Sequence, residues 1–214
     1  MQDLSVTQQY YICTVNRKGK IPGFGMEKRV CFVAAGLLEL QLEDVIELDG
    51  KKASVCAPLP AKLNYLSPLY QFIEEHSPVK VEKILEEYHY KRLNKLMEAV
   101  GQSLEEAGCA QAAKAGFFSG QTGYIPHKEV ISRVINLMRT ELLEDGEITE
   151  DVVALAILLE KSKSLKLYFS AFEQKELKGK LKEIMQSPAG KQVKAMLEYV
   201  ETMIAVMIVL VAGY

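Results

Sequence analysis

Few side chains in this sequence have the types and spacing that catalysis requires. His89 lies between two tyrosines and carries the side chain of a general base, but no nucleophile or metal partner lies near it in the sequence. Three pairs of adjacent glutamates occur in helical segments, where neighbouring side chains diverge by about 100° and face solvent separately. The sequence has no GxSxG, HExxH, P-loop or GxGxxG motif. We therefore predict that the protein is not an enzyme.

Cysteine and histidine spacing argues against a zinc site and against a disulfide framework. None of the four cysteines forms a CxxC pair, and the three histidines do not cluster with them. The residues concerned are Cys13, Cys31, Cys56, Cys109, His76, His89 and His127. We therefore expect reduced thiols, no metal and no cofactor.

Basic side chains are concentrated between residues 17 and 29, although the net charge of the chain is only -2. Within this segment lies the apolar, glycine- and proline-rich stretch IPGFGM, which predicts a loop before a helix. Cations beside an apolar loop at a helix N-terminus suit an anionic lipid surface, because lysines are attracted to it and free N–H groups hold a phosphate. We therefore predict that Phe24, Lys28 and Arg29 contact anionic lipid headgroups.

The charge pattern also admits other interpretations. The IPGFGM stretch would equally be an ordinary loop with Phe24 folded inward, and helical solubility would explain a second basic stretch from Lys161 to Lys182. An adaptor that binds basic protein tails through the acidic segment ELLEDGEITED would need no lipid pocket. Nucleic-acid binding is disfavoured because the pI is near 6.0 and no long basic recognition helix is present.

The elements that must position these residues are mostly helical. Ser5 and Gln8 have the spacing of a capping box, and MEKRVCFVAAGLLELQLED predicts a second helix with Val30, Val33, Ala34 and Leu37 on one face. A β-hairpin is predicted around Asp49-Gly50 and a second one from Gly116 to Ile125. Further helices are predicted to begin at Ser67-Pro68 and Ser77-Pro78, within EKILEEYHYKRLNKLMEAVGQSLEEAG, and after Thr149.

The C-terminal stretch VETMIAVMIVLVAGY carries no charge after Glu201. A spanning helix needs about 20 apolar residues, and this run is much shorter, so we predict a core helix from Met203 to Ala212. The polar segment Met1–Gln9 lacks the features of a signal peptide, which leads us to expect a cytoplasmic protein.

The order of these segments resembles that of the Golgi phosphoprotein 3 family over nearly the whole chain. The collinear segments include LSVTQQYYICTVNRKGK, GLLELQLEDVIELDGKK, LNKLMEAVGQSLEEAG, GFFSGQTGYIPHKEVISRVI and DVVALAILLEKSKSL. The resemblance implies a mainly α-helical single domain over residues 1–214, with helices around a central apolar C-terminal helix and short β-hairpins. It also implies a peripheral membrane protein that binds phosphatidylinositol 4-phosphate and, in eukaryotes, the cytosolic tails of glycosyltransferases.

The headgroup pocket of that family uses a Trp in the loop before the second helix, an Arg in that helix and two Arg on the later long helix. Alignment places Phe24, Val33, Asn94 and Met97 at these positions, so three of the family's cations are absent here. Other cations lie close by in the sequence, and they predict a displaced basic pocket. Its members would be Lys28, Arg29, Arg92 and Lys95, with Phe24 in the loop.

The second predicted hairpin carries exposed apolar side chains. Phe117, Phe118, Tyr124 and Ile125 include groups too apolar to leave in water, so we expect the hairpin to contact a neighbouring subunit or a membrane. The family resemblance favours self-association, and we therefore predict a homo-oligomer through residues 116–125.

Overall fold

The computed structural model describes residues 4–22, 25–49, 51–113, 122–144, 146–186 and 191–212. Within them it contains nine α-helices and five short strands, and the mainly α prediction is confirmed. The helices are α1 Val6–Thr14, α2 Met26–Leu42, α3 Ser67–His76, α4 Val81–Glu87, α5 Leu93–Glu106, α6 Lys128–Leu142, α7 Glu150–Lys161, α8 Ala171–Gln186 and α9 Lys191–Ala212. The strands are β1 Ile46–Asp49, β2 Lys52–Val55, β3 Val79–Lys80, β4 Ala110–Ala112 and β5 Tyr124–Pro126.

The first helix begins with the predicted capping box. The backbone N–H of Gln8 donates to Ser5 Oγ, and the backbone N–H of Ser5 donates to Gln8 Oε1 at 3.2 Å. A third N-terminal donor, the N–H of Thr7, is satisfied from another helix by Glu39 Oε2 at 2.9 Å. The start of α1 is therefore fixed both locally and by α2.

The centre of the molecule is formed by helices that are buried on all sides. Residues 30–40 of α2 are buried without interruption, and so are residues 152–159 of α7. The prediction placed buried residues on one face of α2 only, whereas this helix is buried on all its faces. A helix that is hydrophobic all round is surrounded by protein. Helices α1, α7 and α9 all pack against α2.

The C-terminal helix α9 lies at the surface and not at the centre, so this part of the prediction is wrong. Its buried side chains recur every three or four residues, as in a helix with one packed face. They are Val193, Met196, Val200, Met203 and Met207. On the other side Ile208 is 51% exposed and Val209 is 71% exposed, so only one face of the predicted core segment is packed.

The described part of the chain can be examined for a helix long enough to span a membrane. No helix there combines the length and the apolar character that crossing a bilayer requires. The apolar side chains of α9 pack instead on α2, α4 and α7.

The first predicted hairpin is confirmed. Strands β1 and β2 pair antiparallel with Asp49 opposite Lys52, and β3 extends the sheet on the far side of β2. The predicted helix start at Ser77-Pro78 is wrong, because the two residues that follow form β3 and the next helix does not begin before Val81. Helix α4 begins at Val81 and continues through a π-helix, Tyr88–Arg92, into α5, so the long predicted helix is present with one irregular turn.

The second hairpin differs from its prediction. Strands β4 and β5 pair with Ala112 opposite Tyr124, which places β4 before the predicted start at Gly116. Phe117 and Phe118 lie outside the described residues. Ile125 is half-buried, and Tyr124 is buried in its own domain, so the expectation of an exposed Tyr124 is wrong. A Cβ at Gly101 would lie 2.3 Å from Cδ2 of Tyr124, and the glycine is therefore what lets this ring pack against α5.

Candidate functional site

The N-terminus of α2 presents an end without a side-chain cap. Its N-cap residue is Gly25, which has φ 110° and no side chain that could cap the first turn. Glu27 in that turn is bound by Lys163, whose Nζ lies 2.6 Å from Oε1. This hydrogen bond holds the pKa of Glu27 below its usual range. The acidic side chain in this turn is thus paired with a lysine from a distant part of the chain.

Arg29 connects α2 to the π-helix between α4 and α5. Its Nη2 donates to the backbone carbonyl oxygen of His89 at 2.7 Å, and burial lowers the pKa of the guanidinium. Burial and the neighbouring Arg29 charge lower the pKa of His89, which favours a neutral imidazole near pH 7. Part of the Arg29 fork is therefore committed to holding the fold together.

Lys28 is half-buried and lies near a second lysine from a distant part of the chain. Burial, followed by the positive charge of Lys166, lowers the pKa of the Lys28 ammonium group. The carbonyl oxygen of Lys28 accepts a hydrogen bond from the Tyr10 hydroxyl at 3.1 Å. The charge of Lys166 therefore acts on Lys28 in the first turn of α2.

Exposed apolar side chains follow Lys166 in the chain. Leu167 follows Lys166 directly and is 54% exposed, and Phe172, at the start of α8, is 68% exposed. The segment between them is fixed by Tyr168, whose hydroxyl donates to the carbonyl oxygen of Cys13 at 2.8 Å. Arg139 Nη2 donates to the carbonyl oxygen of Tyr168, also at 2.8 Å. We call Lys28, Lys166, Leu167 and Phe172 the cationic corner.

Sequence reasoning assigned no role to Lys166, Leu167 or Phe172. The sequence shows the basic stretch from Lys161 to Lys182. It does not show which helix this stretch packs against. Lys163 and Glu27 are 136 residues apart, so their contact is set by tertiary structure alone.

The other predicted pocket residues have different neighbours. Arg92 Nε lies 3.6 Å from Glu87 Oε2, and its guanidinium stacks 4.8 Å from the centre of the Phe72 ring. Lys95 is exposed and, with Arg92, lines a small cavity of about 160 Å³ beside α3. No contact described for Arg92 or Lys95 involves Lys28 or Arg29. The displaced basic pocket therefore stays a prediction, and Phe24 lies outside the described residues.

The acidic segment ELLEDGEITED divides into a structural and a solvent-facing part. Glu141 is buried, and its Oε2 accepts hydrogen bonds from both the N–H and the hydroxyl of Thr149 at 2.8 Å. Partial burial and the carboxylates of Glu43, Glu150 and Glu141 raise the pKa of Asp151. A raised pKa of this origin indicates that acidic groups are crowded together on this surface.

Catalytic and metal chemistry find little support in the described part of the chain. It contains no group of three or more His, Cys, Asp or Glu side chains arranged to hold a metal ion. All four cysteines are free, and burial raises the pKa of Cys13 and of Cys31 to about 12, which keeps both thiols protonated and unreactive. The expectation that the protein is not an enzyme stays a prediction.

Comparison with known proteins gives one family match. The model of the family described as Golgi phosphoprotein 3 (GPP34) matches residues 8–200. None of the curated proteins compared with the chain matches it.

Proposed function

The chain belongs to the Golgi phosphoprotein 3 family, and on this premise we propose that it is a peripheral membrane protein that binds anionic phospholipid headgroups through the cationic corner. The observation that supports this best is the 2.6 Å contact between Lys163 and Glu27, which brings the segment that carries Lys166 and the exposed Leu167 to the start of α2, where Lys28 lies. The family resemblance suggests a phosphatidylinositol 4-phosphate type of headgroup. We propose a cytoplasmic protein that is attached to the membrane surface without spanning it.

Electrostatic attraction and apolar burial contribute separately to this membrane binding. Lysines near an anionic membrane surface each contribute roughly 1 kcal/mol, a term that falls off within a Debye length. Burying Phe172 and Leu167 contributes about 1.5 to 3 kcal/mol each when the side chain is fully buried, and it does not depend on salt. Neither part alone gives stable attachment, whereas both together do.

Liposome flotation of matched variants tests this proposal. Lys28→Gln with Lys166→Gln removes two charges, and we expect the largest loss of binding at low ionic strength. Leu167→Ser with Phe172→Ser removes apolar contact, and binding should weaken at every salt concentration. Phe24→Ala extends the same comparison to the loop before α2.

A control variant with the same change of charge is available on other surfaces. Lys83→Gln with Lys128→Gln removes two exposed lysines outside the cationic corner and should bind like wild type. Equal losses in the control and in Lys28→Gln with Lys166→Gln would show attraction by overall charge only. That result would remove the cationic corner from the account.

A second candidate function is an adaptor that recognises basic tails of membrane-associated enzymes. The neighbouring carboxylates of Glu150 and Asp151 favour it, because acidic groups recruit partners of the opposite sign, whereas Glu43 is already paired with Lys62 at 2.5 Å. Glu150→Gln with Asp151→Asn should abolish binding of a basic peptide while leaving liposome binding unchanged. If both substitutions leave peptide binding intact, this candidate is wrong.

A further inference from the structure

A groove that includes no residue of the cationic corner combines three lysines with an exposed apolar helix face. Its volume is about 640 Å³, and it lies between the β1–β2 turn, the start of α4 and the outer face of α9. Lys51, Lys52 and Lys80 lie on one side of it, and Ala205 and Val209 lie on the other. None of these residues belongs to the surfaces described above.

The lysines are arranged in a way that the fold alone does not explain. Lys52 and Lys80 are directly opposite each other in the β2–β3 pair, where like charges destabilise a sheet. Asp49 faces Lys52 from β1 and Glu82 lines the same groove, yet neither forms an ion pair with the lysines. Among the described residues, no carboxylate lies within ion-pair distance of any of the three. An anion bound at this site would relieve their mutual repulsion.

The opposite wall of the groove is apolar and exposed. Ala205 and Val209 are four residues apart on α9, so both side chains face the same direction. Val209 is 71% exposed, which is more than the 51% of its neighbour Ile208. A purely hydrophilic anion would leave this wall in water, and a purely apolar ligand would leave the lysines without a counter-charge.

We propose that this groove binds one molecule of a single-chain anionic amphiphile. The phosphate or carboxylate of its head contacts Lys51, Lys52 and Lys80, and its acyl chain lies along Ala205 and Val209. The volume falls within the range of about 300 to 1,000 Å³ that is typical of sites for single small molecules. A concave site of this size accommodates one molecule better than it accommodates the flat surface of a bilayer. The proposal does not depend on the cationic corner.

Titration with oleoyl lysophosphatidic acid, kept below its critical micelle concentration, tests the proposal. Native mass spectrometry should show one bound molecule per chain, and calorimetry should give the affinity. We expect Lys52→Gln with Lys80→Gln to weaken binding roughly tenfold, since each exposed ion pair accounts for about a threefold difference in affinity. Val209→Asp should also weaken it roughly tenfold by removing apolar contact.

Matched controls separate this groove from general effects. Ile208→Asp changes the neighbouring exposed position on α9 but not the groove, and Lys128→Gln with Lys175→Gln removes two exposed lysines that do not line it. Both controls should bind within about twofold of wild type. Lys28→Gln with Lys166→Gln should also leave this affinity unchanged, which separates the result from a failure of the proposed membrane function.

Three results would overturn the proposal. One is the absence of binding to the monomeric amphiphile. Another is equal affinity for oleoyl lysophosphatidylcholine, whose head carries no net charge, because the lysines would then have no role. The third is binding only when the amphiphile is presented in vesicles, which would assign the groove to a membrane surface.

Discussion

The buried carboxyl group of Glu39 offers the sharpest test of how the core is held together. Glu39 is 3% exposed, and its Oε2 accepts the N–H of Thr7 at the start of α1. Its Oε1 accepts a hydrogen bond from the hydroxyl of Tyr65, which also lies 2.8 Å from Ser5 Oγ. One side chain on α2 thus connects α1 to the segment before α3.

Removing this side chain should destabilise the protein. Glu39→Ala leaves the buried N–H of Thr7 without a partner, which costs about 1 to 3 kcal/mol, and it also leaves a cavity. The Tyr65 hydroxyl retains Ser5 as a hydrogen-bond partner, so its contribution to the loss of stability is smaller. We expect the free energy of unfolding to fall by about 2 to 5 kcal/mol in urea denaturation at pH 7.

The isosteric variant Glu39→Gln should behave differently, because burial raises the pKa of Glu39 above its ordinary value of 4.5. The folded state then holds this proton at pH values where the unfolded state has already released it. Ionisation of Glu39 therefore lowers the free energy of unfolding as pH rises from the unfolded-state pKa through the folded-state pKa.

The amide introduced by Glu39→Gln has no proton to lose, so the stability of wild type relative to this variant should decline as pH rises above about 4.5, by about 1.4 kcal/mol for each unit of raised pKa. Urea denaturation of both proteins across this range measures the difference. A difference that is constant with pH, or that grows in favour of wild type as pH rises, would refute the reasoning.

Three further predictions concern the C-terminal helix and the second hairpin. Met203→Ala should cost about 2 to 5 kcal/mol in urea denaturation, whereas Val209→Ala on the exposed face should change stability by less than about 0.5 kcal/mol; equal effects would contradict the one-sided packing of α9. Gly101→Ala should cost about 1 to 3 kcal/mol by displacing the Tyr124 ring, and an unchanged melting temperature would disprove that contact. Phe118→Ser should reduce self-association in light scattering at high concentration, and a wild type that stays monomeric would end the oligomer prediction.

Much of the fold could be predicted because local signals and tertiary structure agree. The capping box of Ser5 and Gln8 fixes the start of α1, and Asp49-Gly50 marks the first hairpin. These signals depend on neighbours within four residues, which a sequence displays directly. The long apolar runs likewise predicted helices.

Other features depended on contacts that a single sequence does not display. The run after Glu201 has a higher apolar content than α7, yet α7 is central and α9 is not, because burial depends on which helices surround a segment. Glu39 belongs to an acidic stretch, and nothing local indicates that Thr7 and Tyr65 bury it. Tertiary packing likewise brings Lys163 to Glu27 and so places the segment that carries Lys166 near the start of α2.

The central claim is that the wild-type protein binds anionic membranes. Flotation with liposomes of phosphatidylcholine alone, and with added phosphatidylinositol 4-phosphate or phosphatidylserine, tests it most directly when carried out at low and at physiological ionic strength. We predict binding to the anionic liposomes only, with affinity decreasing as salt shortens the Debye length from about 30 Å at 0.01 M to about 8 Å at 0.15 M. Failure to bind every anionic liposome at low ionic strength would contradict the account and favour the adaptor function.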